Sequence, residues 1–259
     1  MQSIRTGRIA VAAAAAATLI VAAASPAANT PGGPTTSVKA SVTPNHLVPG
    51  LTNKHGMPIT LKFHLGITHP SGSRYRLDQV VVKFPNGVGK PNGNLFPSCS
   101  VAQLEKAHNR LSACPKGSRI GKGVAVGTAV DIGVTSSGKL TLFNGPGGKS
   151  ITFNVDIERP ALINKTFKAP LRKTSGKYGY TLTNIIPTEL QNILDGPIIV
   201  HRIDVTTGLT RVVHGVKRGY IEAFKCPKSH KAPLHVDASF NTDTGLTATS
   251  SSDTNITCH

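Results

Sequence analysis

Tryptophan is absent from the 259 residues, methionine occurs twice, and aromatics make up only 5% of the chain. Single-stranded nucleic acid is held on clustered aromatic platforms, so base-stacking readers are a poor fit. Acid is scarce too, with 12 Asp+Glu against 29 Lys+Arg and a formal charge of +17. No C-x2-C pair occurs, which removes the commonest spacing of a structural zinc site. Beyond the N-terminal stretch no apolar run approaches the ~20 residues of a membrane-spanning helix, and the C-terminal Thr257-Cys258-His259 carries no hydrophobic tail.

What is present begins with a targeting pattern. Arg5 and Arg8 precede an uncharged run from Ile9 to Ala24, and small residues follow. This reads as a signal peptide over residues 1–28, cleaved between Ala24 and Ala28. No cysteine lies near that point, which argues against a lipid anchor. Removing Arg5 and Arg8 leaves 27 basic residues against 12 acidic ones. The expected location is therefore extracellular or in the cell envelope. Asn29–Ser37, rich in Pro, Gly and Thr, reads as a linker.

An oxidising compartment suits the four cysteines, all in the mature part. Four cysteines allow three pairings. Cys99–Cys114 and Cys226–Cys258 are expected, because each closes a short loop. Between the first two, Ser100 and Gln103 have capping-box spacing, and Val101, Leu104, Ala107 and Leu111 recur at helical intervals. A helix rises about 1.5 Å per residue, whereas disulfide-bonded Cα atoms lie roughly 4.4–6.8 Å apart. The helix must then be short, Val101 to His108, with Asn109–Ala113 returning beside it.

Elsewhere the periodicity is two. Ile59, Leu61, Phe63, Leu65 and Ile67 alternate with polar or small residues; so do Ile151, Phe153, Val155 and Ile157, and Leu234, Val236, Ala238 and Phe240. Alternation of this kind predicts strands with one buried and one wet face. Further strands are expected at Tyr75–Phe84, Ile120–Ile132, Leu140–Phe143, Tyr178–Ile185, Ile198–Thr206, Arg211–His214 and Tyr220–Lys225. Turn signals separate them, including Pro85-Asn86-Gly87 and Ser136-Ser137-Gly138. A second short helix is expected from Thr188 to Leu194. The fold class is all-β, an antiparallel β-sandwich over residues 38–259, either one large sandwich or two small ones divided near 134–138.

Motifs that suggest chemistry give way to plainer readings. Gly148-Lys149-Ser150 resembles the end of a phosphate-binding loop, but Phe143 stands where that loop needs its first glycine, and a strand follows. Gly121, Gly123 and Gly127 lack the helix of a dinucleotide site. Asp156 and Glu158 lie about 7 Å apart along one strand, a spacing that glycoside hydrolysis could use, although a solvated strand face is commoner. His235 and Asp237 have the same relation. His55, His64 and His69 fit no metal spacing, and His201 and Asp204 fall on opposite strand faces. No catalytic residue, metal or cofactor is expected.

Two acid-free basic stretches remain: Lys165, Lys168, Arg172, Lys173 and Lys177, placed on a loop near Pro170, and Lys225, Lys228 and Lys231 around Cys226. Such charge attracts anionic cell-wall polymers or an acidic lipid surface, without sequence-specific nucleic-acid binding.

The segments Phe84-Pro85-Asn86-Gly87, Cys99, Cys114-Pro115-Lys116-Gly117-Ser118-Arg119-Ile120-Gly121 and Phe224-Lys225-Cys226-Pro227 resemble the pattern of a loose set of secreted actinobacterial β-rich proteins of unknown function. Phe84 replaces the leucine of that pattern. The resemblance covers most of Val80–Pro227 and implies export and a β fold, with no catalytic residues to carry over. The expectation is a non-catalytic envelope or extracellular protein that binds anionic polymers, with a secreted hydrolase of wall glycans as the alternative.

Overall fold

The computed structural model describes residues 29–46, 55–194 and 196–259; the signal-peptide reading over 1–28 lies outside them. The chain forms β1 (Thr35–Thr43), β2 (Met57–Thr68), β3 (Arg76–Pro85), β4 (Gly89–Pro91), α1 (Val101–Lys106), β5 (Arg119–Ala129), β6 (Val134–Asn144), β7 (Ser150–Ile157), β8 (Ile163–Lys173) and β9 (Tyr178–Ile185). Then follow α2 (Thr188–Gln191), β10 (Asn192–Ile193), β11 (Gly196–Thr207), β12 (Thr210–Val213), β13 (Val216–Gly219), β14 (Ile221–Ala223), β15 (Lys231–Asn241) and β16 (Thr247–Thr257).

The fold is all-β and sandwich-like. One antiparallel sheet runs β16-β15-β3-β9-β8-β7-β6-β5-β11-β2-β14-β4, with β1 beside β2. Its two flanks meet across a seam, where β1 lies along β16. Thr36 donates its backbone N–H to Ser250 Oγ, and His259 donates to the Asn45 carbonyl. Both pairs are 214 residues apart, so the two strands run parallel. The sheet thus wraps around one core, in which Leu65, Leu234, Val236 and Phe240 are at most 1% exposed.

The apolar positions of the alternating segments face inward as their pattern requires. The β2 residues Leu61, Leu65 and Ile67 are buried, and the β7 set Ile151, Phe153, Val155 and Ile157 faces the same core. Several features differ from the sequence reading. Asn29–Ser37 is not a free linker: Ser251 N–H donates to Asn29 Oδ1, Thr30 N–H donates to the Thr249 carbonyl, and β1 begins at Thr35. Ser136-Ser137-Gly138 is no turn or domain boundary, because β6 runs through it and pairs with β5 and β7. Gly138 serves packing: a Cβ there would sit 3.1 Å from Ile157 Cγ1 and 3.2 Å from Val155 Cγ1. Another is β8, described below.

Both disulfides pair as expected, Cys99–Cys114 with Cα atoms 5.3 Å apart and Cys226–Cys258 with 5.7 Å. Ser100 Oγ accepts the Gln103 N–H at 3.1 Å, which starts α1. The helix stops at Lys106, two residues before the sequence reading. His108 and Asn109 take φ of 52° and 57°, a left-handed turn that lets the chain double back to Cys114. Ser100→Ala should cost about 1 kcal/mol, seen as a lowered urea midpoint with unchanged slope.

The α1 excursion also covers what alternation predicts as a wet face of β7. Thr152 and Asn154 are 0% and 1% exposed. Thr152 Oγ1 donates to the Cys99 carbonyl, and Asn154 Nδ2 donates to Thr166 Oγ1, which donates to Asn109 Oδ1. Asn144, at the end of β6, donates to the carbonyls of Gly93, Phe96 and Pro97. The excursion therefore docks through a chain of side-chain hydrogen bonds as well as through the small Cys99–Leu104–Phe143 cluster.

Candidate functional site

The first basic stretch lies on β8, not on a loop. Its apolar members Phe167, Ala169 and Leu171 pack into the core, so strand alternation divides the charges. Lys168 and Arg172 are exposed on the opposite face. Lys165 shares the inward parity at one strand end, where its Nζ bonds Glu189 at 2.6 Å. That contact lowers the Glu189 pKa and offsets the Lys165 charge. Lys173 and Lys177 lie at the other end of β8 and in the turn that follows. The five residues thus form no single patch.

The fold does join the end of that stretch to the second one. Asn86 donates its N–H to the Lys177 carbonyl and its side-chain amide to the Gly176 carbonyl. A Cβ on Gly87 would lie 3.7 Å from Lys225 Nζ. The Pro85–Gly87 turn therefore meets the Lys177 backbone and the Lys225 side chain, and the Lys177 ammonium lies 5.2 Å from the Tyr178 ring centroid. Lys90, on β4, places its Nζ 4.8 Å from the Phe224 ring centroid. None of Lys90, Lys173, Lys177 or Lys225 takes part in a salt bridge among the described residues. Several acids are engaged elsewhere, as in Arg74–Asp131, Lys83–Asp237 and Arg218–Glu222, whereas Tyr178 and the charge of Asp253 raise the Lys177 pKa.

Next to this basic end the interior is hollow. A cavity of about 120 Å³ is lined by Leu61, Phe84, Val88, Leu171 and Tyr220, with Lys90 and Lys225 also on its wall. A second cavity of about 160 Å³ lies deeper, against Phe63, Val82, Leu140 and Phe153. Leu61, Ile151, Leu182 and Thr207 border both. Ala125 borders the deeper space with a small side chain, and Gly127 and Gly138 lie on its wall, packed closely against Ile198–Ile199 and Val155–Ile157. Protein interiors pack with few voids larger than a water, and at ~24 cal/mol per Å³ a 160 Å³ void costs about 4 kcal/mol.

Tyr220 is the polar group of this interior. It is 2% exposed, its ring meets Phe96 edge-on at 5.8 Å, and its hydroxyl has no partner among the described residues. Burial pushes the phenol well above its ordinary pKa, so it remains an O–H donor. No sequence signal marked it, since a tyrosine between Gly219 and Ile221 reads as one more strand residue.

The other candidates fall to different places. Glu158 is exposed and ion-paired with Lys139, which holds its carboxyl below the usual pKa; a glycosidase acid needs the opposite shift. His235 is not on a wet face. Its side chain is 11% exposed, and its two ring nitrogens bond Asp253 at 2.9 Å and Asp237 at 2.8 Å. His64 and Asp204 form a cross-strand pair at 2.6 Å, set by the register of β2 and β11. That pairing spans 140 residues, beyond any local pattern. An aspartate on Nδ1 orients an imidazole as a base would need, but His64 makes no hydrogen bond to a hydroxyl among the described residues. His201 bonds Thr128 Oγ1 at 2.8 Å. Gly148-Lys149-Ser150 is a hairpin turn. Gly147 and Gly148 adopt φ of 64° and 66°, and a Cβ on Gly148 would meet the Gly93 carbonyl carbon at 2.6 Å.

No group of three or more His, Cys, Asp or Glu that could hold a metal occurs among the described residues. No described helix is long and apolar enough to cross a membrane. In comparisons with known proteins, no family model, no curated protein and no solved structure matches this chain.

Proposed function

We propose that this is an exported, non-catalytic protein of the cell envelope or extracellular space that binds anionic envelope polymers through its basic end. One observation carries the reading: the Pro85–Gly87 turn touches both the Lys177 backbone and the Lys225 side chain, from stretches nearly fifty residues apart in sequence. The charge excess, the two disulfides and the signal-like N-terminus support the same setting. Lys173 adds charge at the same end of β8, and Lys168 and Arg172 add it along one face of that strand.

Binding of this type proceeds by counterion release, so it should weaken steeply as salt rises. It should show little preference for monomer detail, because backbone phosphates position a ligand without specifying it. The test is retention on immobilised polyphosphate across a salt series. Changing Lys168, Arg172, Lys173 and Lys177 together to Gln should lower retention and reduce the log–log salt slope by roughly 0.7 per lost phosphate contact. Thermal unfolding should be nearly unchanged, since all four side chains are exposed. Retention that ignores salt, or an unaltered slope in the quadruple variant, would reduce the charge to a solubility feature.

A further inference from the structure

The two cavities, the buried tyrosine and the two lysines belong to one path. The outer cavity begins at the turn region beside Lys90 and Lys225 and passes Tyr220; the deeper one continues between the β5–β6 and β3–β9 walls. Lys90 and Lys225 border the first cavity together with Tyr220, whose buried hydroxyl differs from those of Thr207 and Ser136 in having no partner among the described residues, and the wall of the second is almost all apolar. That order of chemistry matches a molecule with an anionic head, an oxygen near the head, and a hydrocarbon tail. We propose that the interior takes a single-chain anionic amphiphile, its head at Lys90 and Lys225, an oxygen of its head or linkage accepting from the Tyr220 hydroxyl, and its chain in the two cavities.

The parts argue for this occupant over others. A flat aromatic ligand would find few stacking partners along the deeper wall, which is mainly Leu, Val and Ile. A polar ligand would leave its groups unpaired there, which is costly. The Tyr220 hydroxyl has no acceptor among the described residues, although buried polar groups are nearly always paired. The small side chain of Ala125 leaves the chain space open, since a larger residue there would project into the deeper cavity that it lines. The inference does not require the polymer reading, since the cavity wall includes none of Lys168, Arg172, Lys173 or Lys177.

The experiment is calorimetric titration of the delipidated mature protein with octanoate, dodecanoate, hexadecanoate, hexadecyl phosphate and hexadecanol. Affinity should rise about threefold to fourfold per added methylene, the worth of one buried CH2, until the path is full. The charged ligands should bind at least tenfold more tightly than hexadecanol, and that preference should vanish when Lys90 and Lys225 are both changed to Gln. Tyr220→Phe should weaken the acid and the phosphate about fivefold, the worth of one hydrogen bond. Ala125→Leu should weaken hexadecanoate while leaving octanoate unchanged. Tighter hexadecyl phosphate identifies a lipid phosphate as the head, and tighter hexadecanoate a free fatty acid. Affinity that is flat with chain length, or equal for acid and alcohol, overturns the proposal. Polyphosphate retention, measured in parallel on Ala125→Leu, should be unaltered, so that either reading can fail alone.

Discussion

Replacing Arg218 by Met should destabilise the protein by about 3–5 kcal/mol, the cost of leaving a buried charge without its partner. Glu222 on β14 is 0% exposed. Arg218 on β13 meets it with two parallel bonds, Nε to Oε1 at 2.7 Å and Nη2 to Oε2 at 3.0 Å. The Gly219 N–H adds a third at 3.0 Å and the Gly56 N–H a longer one at 3.4 Å. Burial pushes this carboxyl up, but the Arg218 guanidinium and the Gly219 N–H outweigh it, and the net pKa lies below 4.5. A depressed folded-state pKa contributes stability that is present above the unfolded value and is lost as pH falls through the folded one. Without Arg218 the burial effect wins and the folded-state pKa rises, so the variant loses stability as pH rises instead. The gap between the two proteins should therefore be wide at neutral pH and narrow below pH 4.5. Urea denaturation at both pH values checks this. Adding Glu222→Gln to Arg218→Met should recover part of the loss at neutral pH, because a neutral amide is cheaper to bury than an unpaired carboxylate. A gap that stays constant with pH would mean that Arg218 acts through packing alone.

The parts of this fold legible in the sequence are those whose alternation is carried by large apolar residues. β2, β7 and β15 repeat Ile, Leu, Val and Phe at every second position, and all three form where expected. β8 carries the same alternation in Phe167, Ala169 and Leu171, but Lys165 and Lys173 occupy the ends of its inward set and Pro170 interrupts it. β16 reads Thr-Ala-Thr-Ser-Ser-Ser-Asp-Thr-Asn-Ile-Thr, a composition typical of loops. Its inward positions are small because Ser250, at 0% exposure, accepts the Thr36 N–H across the seam with β1. The helix start and the disulfides were readable because both depend on local spacing.

The candidate site was not readable for the opposite reason. Tyr220 matters because Phe96 stands beside it, and the neighbourhood of Lys225 and Gly87 joins β14 to the end of β3. Those partners are more than a hundred residues apart. Valines alternating along β5 announce a strand, and the small residues between them suggest close packing under another element. Here Ala125 and Gly127 line the deeper cavity together with Val126, and Val124 is half-buried. The small residues mark the space, and no one-dimensional pattern distinguishes room for a neighbour from room for a ligand.

Loss of the Cys226–Cys258 disulfide, by changing both cysteines to Ala, should cost a little under 4 kcal/mol. A loop of 32 residues gives roughly that figure from chain entropy alone. Native stabilities run about 5–15 kcal/mol, so much of the total is at stake. For a domain of this size the melting temperature should fall by roughly 10 °C. The structural consequence should be local first. The bridge ties the end of β16 to the segment after β14, and the neighbouring backbone adds Cys258 N–H to the His230 carbonyl and His259 N–H to the Asn45 carbonyl. Cys258 also lines the outer cavity, near Lys225. Hydrogen exchange should therefore quicken at β16 and along β1 across the seam, before it quickens at β6 and β7. The Cys99–Cys114 disulfide closes a loop of 15 residues, and changing both cysteines to Ala should cost about 3 kcal/mol, with exchange faster at Leu104 and Thr152 instead. If both variants loosened the same strands, the two disulfides would not be guarding separate regions, and the seam between β1 and β16 would not depend on the C-terminal bridge.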